Sequence, residues 1–205
     1  GGGASSTSLP QGRYMIIFFI SLLSFTFTDI MGLEPGNSGI LPEDVKLAME
    51  GHMMEGYKFH HDSPLSETDQ YFNREPTLED KFHILVCVLP ANSPHMHETV
   101  VEKIKRVRES TKDLNIPDMA IVTKIDLSTK EIMEDVKKVY TSAYLHKNMK
   151  SLSSMVGIPL NYMFPVQNYS AGEMERDNDM DILLLTALKH MMIYGSDFID
   201  NQLHP

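Results

Sequence analysis

The chain has 205 residues, 42% hydrophobic and 22% charged, which suits one folded domain with a sizeable core and excludes wholesale disorder. Lys and Arg number 18 against 28 Asp and Glu, a net charge of −10, so phosphate backbones and anionic membranes repel it and nucleic-acid binding is set aside. The single cysteine, Cys87, lies in an apolar run without a partner for an internal disulfide, which points to a reducing, cytoplasmic compartment and an inert core thiol.

Residues 1–13 read as a flexible leader and 14–205 as one partial domain. The opening Gly1-Gly2-Gly3, in place of an initiator methionine, is what a processed chain or a fragment shows. From Met15 to Phe27 runs an apolar stretch too short to span a bilayer comfortably. With Arg13 before it, it resembles a signal-peptide core. No small-residue cleavage site follows, so a buried strand ending at Phe27-Thr28 is the preferred reading. Ile16 to Thr28 consists only of Ile, Phe, Ser, Leu and Thr, residues whose codons all accept a pyrimidine in the middle position. A splice-acceptor tract read through in frame would encode such a run.

Gly32, Pro35, Gly36 and Gly39 mark a loop, and Pro42 to Met54 has helical spacing. Residues 56–76 are polar and irregular, and Thr77 with Asp80 offers a helix cap. His83–Leu89 is a continuous apolar strand of the kind buried on both faces. A charged helix over His97–Leu114 carries the stripe Val100, Ile104, Val107, and Met119–Thr123 is the next strand. Helices at about 130–142 and 145–156, a strand at Pro159–Val166, a loop at 167–178 and a helix over Asp179–Tyr194 complete the chain. Strands alternating with helices predict an α/β fold, a parallel sheet with helices on both faces.

In such a sheet ligands bind where strands end and loops begin. Three such places stand out. Asp29-Ile30-Met31-Gly32 follows the first strand: an aspartate there can hold Mg²⁺, usually through water, and Gly32 lets a backbone N–H approach a terminal phosphate. An ordinary strand-to-loop turn uses the same two residue types. Thr123-Lys124-Ile125-Asp126 follows the strand ending at Val122. Asp126 could accept two hydrogen bonds from a guanine edge, a donor pair that adenine lacks, while Lys124 lays its stem over the base. The competing reading is a solvated turn in which Asp126 or Ser128 caps the next helix. Asn168-Tyr169-Ser170-Ala171 follows the last strand and would pack against the base, or be a plain polar turn.

These stretches, with Gly51-His52-Met53, Gly56-Tyr57-Lys58-Phe59, Gly157-Ile158-Pro159, Val166-Gln167-Asn168-Tyr169 and Asp181-Ile182-Leu183-Leu184, resemble the interferon-induced protein 44 family from about Asp29 onward. The resemblance implies a cytoplasmic, interferon-inducible protein of antiviral defence. It implies a three-layer, mostly parallel Ras-like P-loop NTPase sheet, truncated at the N-terminus, with Asp29, Gly32, Thr123, Lys124, Asp126, Asn168 and Tyr169 around GTP or GDP and Mg²⁺ at Asp29.

One departure bears on mechanism. No Gly-x4-Gly-Lys-Ser/Thr loop precedes Asp29, although backbone amides and a lysine there would hold the β- and γ-phosphates. Gly51-x4-Gly56-Tyr57-Lys58 has its lysine one place late and lies after Asp29. Losing four or five such contacts weakens binding by at least about a thousandfold. The expectation is a non-catalytic GTPase-like interaction protein whose partners are proteins, with no stable membrane span. The alternatives are a piece of an active GTPase, or a secreted protein whose first 27 residues are a signal. His60-His61-Asp62 and His95-Met96-His97 match no zinc spacing and read as solvated loops.

Overall fold

A computed structural model describes residues 16–21, 26–30, 40–92, 96–169 and 177–204, with side chains from Ile40 onward. Five strands form one sheet: β1 (Ile16–Ser21), β2 (Thr26–Ile30), β3 (Ile84–Pro90), β4 (Asp118–Thr123) and β5 (Met163–Pro165). Their order is β2-β1-β3-β4-β5. β3, β4 and β5 are parallel, whereas β1 runs antiparallel to both β2 and β3. The sheet is therefore α/β with a three-stranded parallel part, and the expectation of a mostly parallel sheet is corrected, since half of its four pairings are antiparallel.

The reason lies in the first apolar run. It does not make one strand ending at Thr28; it folds back on itself as a hairpin, with Ser21 opposite Thr26 and Ile17 opposite Ile30. β1 then pairs with β3, Ile16 opposite Val88 through Ile20 opposite Ile84. A hairpin lets consecutive strands pair without a crossover helix, and antiparallel pairing is its consequence.

β3 alternates between two cores, as a strand buried on both faces must. Leu85, Cys87 and Leu89 face one side, with Ala120 and Val122 of β4. Helices α1 (Pro42–Met49), α2 (Glu98–Asp113) and α4 (Ala143–Val156) cover that side through Val45, Ile104 and Leu152 among others. Ile84 and Val86 face the other side, where Ala187 and Met191 of α5 (Asn178–Leu203) pack over them and Phe164. Helices on both faces make three layers. Cys87 is buried, and burial pushes its thiol up to about 12, which suits an inert core residue.

Local chemistry sets the helix ends. Pro42 opens α1, and the chain leaves it at Gly51, whose φ of +85° only glycine adopts freely, so the helix stops short of Met54. His97 caps α2 by accepting from the Thr99 amide, Ser142 caps α4 through the Leu145 amide, and Gly157 closes α4 at φ +77°. The helix expected at 130–142 divides into α3 (Lys130–Glu134) and a 3-10 turn at Val136–Tyr140. Between them Asp135 is extended and its carboxylate caps Lys137. β5 is shorter than Pro159–Val166 because a 3-10 turn at Leu160–Tyr162 precedes it. α5 continues to Leu203, well past Tyr194. Its 26 residues, at hydropathy 1.3, are long and apolar enough to cross a membrane by length and composition; its inner face packs on the sheet.

Candidate functional site

β4 and β5 deliver their C-terminal ends side by side. Val122 is level with Pro165, and the Val166 amide donates to the Val122 carbonyl at 2.8 Å, extending the parallel ladder by one residue. Thr123, at the end of β4, accepts from the Ala91 amide at 2.8 Å, which fastens the loop after β3 to the same corner. Asn148 of α4 donates to the Ala91 carbonyl at 3.3 Å and holds that loop from behind.

Beyond Thr123 the chain turns through Lys124 at φ 55°, ψ 37°, a left-handed conformation unusual for a non-glycine residue. A 3-10 turn over Ile125–Leu127 follows, with Ile125 buried as its anchor. Asp126 sits on that turn, half-buried, and Lys124 is exposed. Neither makes an ion pair among the described residues, so both charges are uncommitted there. Neither Asp126 nor Ser128 caps the next helix: Thr129 does, accepting from the Ile132 amide at 3.2 Å.

The neighbouring loop splits into two roles. Asn168 is exposed beside the corner. Tyr169 is turned away from it: its hydroxyl accepts from the Asp177 amide at 2.8 Å and lies 2.9 Å from both the Asp177 carbonyl and an Asp181 carboxylate oxygen. It pins the loop to the start of α5, a structural task that its sequence context did not reveal. Two buried oxygens at the corner have no hydrogen-bond partner among the described residues, Ser128 Oγ and Gln167 Oε1. Such groups usually mark water or a ligand, and an isolated Ser or Gln in a loop carries no signal that would single it out beforehand.

Asp29 stands apart from this corner. It lies within β2 and not in the loop after it, as the sequence had been expected to place it. Its register runs from Asp29 to Phe18, from Phe18 to Val86, and from Val86 to Met119. It is therefore three strands from β4, roughly 14 Å at the usual strand spacing, and level with a residue four positions before Thr123. β2, β3 and β4 run in the same direction, so the two aspartates are not at opposite ends of the sheet. Gly32 lies outside the described residues, as does His95. The structure thus brings Thr123, Lys124, Asp126 and Asn168 together and leaves Asp29 distant. No cluster of metal-ligating side chains occurs among the described residues. Gly51 and Gly56, the near-match to a phosphate loop, both take positive φ and turn the chain out of α1 on the way to β3.

No family model and no solved structure matches the chain. Among curated proteins it is 28% identical over 181 residues to "Interferon-induced protein 44-like" of Homo sapiens, covering 87% of this chain and 40% of that protein. It is 28% identical over 180 residues to "Interferon-induced protein 44" of Mus musculus, covering 87% of this chain and 42% of the relative. Identity to the human protein of that name is 24% over 180 residues. The chain thus spans about two-fifths of the length of these relatives. Homologues that consistently carry this name across nearly the whole chain support its assignment to the interferon-induced protein 44 family.

Proposed function

We propose that this chain is a cytoplasmic, interferon-inducible protein of antiviral defence that carries a partial guanine-nucleotide-binding domain and works through protein partners without hydrolysing nucleotide. The names of its relatives support the interferon-inducible part of this reading. The observation that carries the second is the β4 corner, where an uncommitted Asp126 follows Lys124 in a left-handed turn. Backbone outliers of that kind concentrate where a ligand is held.

Three features set the limit on chemistry. The sequence contains no phosphate loop. Asp29, the residue for a magnesium ion, lies within β2 and not in the loop after it. The place between β2 and β3, where a Ras-like domain would put the strand that feeds its phosphate loop, is occupied by β1 running antiparallel to both. Charge developing on a γ-phosphate would lack the lysine of such a loop.

The test is binding of labelled GTP to the 205-residue chain with and without magnesium. The expected result is weak binding of guanine nucleotides, insensitive to magnesium, reduced about tenfold or more by Asp126→Asn, the loss of a charged hydrogen-bond pair, and no hydrolysis above background. Tight, magnesium-dependent binding lost in Asp126→Asn would favour the alternative, a piece of a working GTPase.

A further inference from the structure

A cavity of about 740 Å³ opens between α1 and the segment that follows it, with none of the β4-corner residues in its lining. Its apolar floor is Leu47, Leu65 and Phe72, its rim carries Glu50, Glu67 and Arg74, and His52 and Thr68 complete the lining. That volume falls within the range of small-ligand sites, which are largely apolar with a few placed polar groups.

The walls are fastened by named bonds. Asp44, fully buried in α1, accepts from the Leu65 amide at 2.6 Å and so holds the floor. The Asn73 amide donates to the His52 carbonyl at 2.8 Å, Asn73 Nδ2 donates to the Gly51 carbonyl at 3.2 Å, and His52 Nδ1 donates to the Asn73 carbonyl at 2.8 Å. The His52 ring stacks on Phe72 with centroids 5.0 Å apart and planes 11° from parallel. These contacts tie Gly51 to Asn73 across a long irregular stretch and shape the cavity.

The rim charges are unspent. Among the described residues Arg74, Glu50 and Glu67 form no ion pair, and Arg74 makes one long hydrogen bond, 3.4 Å to the Glu67 carbonyl. A guanidinium thus lies beside the backbone of an acidic residue without neutralising its carboxylate. A purely anionic ligand would meet two carboxylates, and a purely cationic one would meet Arg74. A molecule bearing both charges on an apolar body satisfies all three rim groups and the floor.

We propose that this cavity binds a zwitterion with an apolar body, a free amino acid or a short peptide. Its carboxylate lies on Arg74, its ammonium group on Glu50 and Glu67, and its side chains over Leu47, Leu65 and Phe72. Arg presents a planar fork matched to a carboxylate, which sets the orientation.

Calorimetric titration of the whole chain with the dipeptide Leu-Phe, its N-acetyl form, its C-terminal amide and free phenylalanine tests this. The dipeptide is expected to bind, and removing either charge to weaken it about tenfold, the effect of one charged hydrogen bond. Arg74→Gln should erase the difference between dipeptide and amide and keep the effect of acetylation; Glu50→Gln with Glu67→Gln should do the reverse. All three positions are on the rim, and thermal melts confirm that the variants fold. Comparing phenylalanine with the dipeptide assigns the source of the zwitterion. Absence of heat and of chemical-shift change at millimolar dipeptide, or affinity indifferent to both end groups and to all three substitutions, overturns the proposal.

Discussion

Arg108 is a buried cation in a helix whose other charges are mostly solvated. It pairs with Asp118 at the start of β4, and its Nη1 donates to the Val156 carbonyl at 3.0 Å, so one side chain ties α2, β4 and the end of α4. Gly157 completes the joint: a Cβ there would stand 2.7 Å from Arg108 Nη1, and the φ of +77° disfavours any other residue. Breaking a buried pair strands the remaining charge, whereas replacing both partners by apolar groups does not. Asp118→Ala is therefore expected to cost about 3–5 kcal/mol in denaturant melts, and Arg108→Met with Asp118→Leu less than about 1.5 kcal/mol. Equal losses in the two variants would mean that the pair holds the joint only by filling space. Nothing in the sequence singles out Arg108 from Lys105 or Arg106. Its role depends on Asp118 and Val156, which only tertiary packing brings to it. Lys124 and Asp126 were legible because a local pattern, strand then turn then helix, carries them. Tyr169 was placed in the right loop, but its hydroxyl is committed to Asp177 and Asp181 through a contact no local pattern encodes.

At the scale of elements, periodicity served where burial was one- or two-sided and long. β3, β4, α2 and α4 fall within a few residues of their expected bounds. The β1–β2 pairing carries no local signal because the sequence between Ser21 and Thr26 holds none of the Gly, Pro, Asn or Asp that announce a reversal. α5 outran its expected end because Phe198 and Ile199 bury beyond Gly195 and outweigh the glycine's low helix propensity. The junction into β3 has a pH dependence that follows from burial. His83 is fully buried, its Nε2 donates to the Leu78 carbonyl at 3.0 Å, and burial holds its pKa below the ordinary 6.5. The unfolded chain binds this proton more readily, so His83 contributes stability above about pH 6.5 that is lost as pH falls toward the folded value. Asp44 has the opposite sign. Burial raises its carboxyl above 3.8, and that contribution is lost as pH rises through the raised value. The melting temperature should therefore fall between pH 7.5 and 5.5, and His83→Gln should flatten the slope in that window. An unchanged slope in the variant would remove His83 as the cause.

For the molecule as a whole the sheet is asymmetric. β1 fills the place between β2 and β3, so the pairing expected between the Asp29 strand and β3, or an edge left open at β3, gives way to an outer edge on β2 that no strand among the described residues covers. An unpaired edge is a template for another chain. A second surface competes with it: one face of α5 exposes Ile182, Leu185, Met192 and Ile193. Opposing both is the net charge of −10, whose mutual repulsion acts at low ionic strength and is screened within about 8 Å at physiological salt. Edge pairing joins backbone to backbone and does not depend on which side chains α5 presents. The isolated chain is therefore expected to self-associate in sedimentation experiments as salt and protein concentration rise, and Ile182→Glu with Leu185→Lys should leave most of that association in place. If the double variant restores a monomer, the contact belongs to α5. If the unmodified chain stays a monodisperse, cooperatively melting monomer throughout, β1 has closed the sheet well enough that its β2 edge recruits nothing.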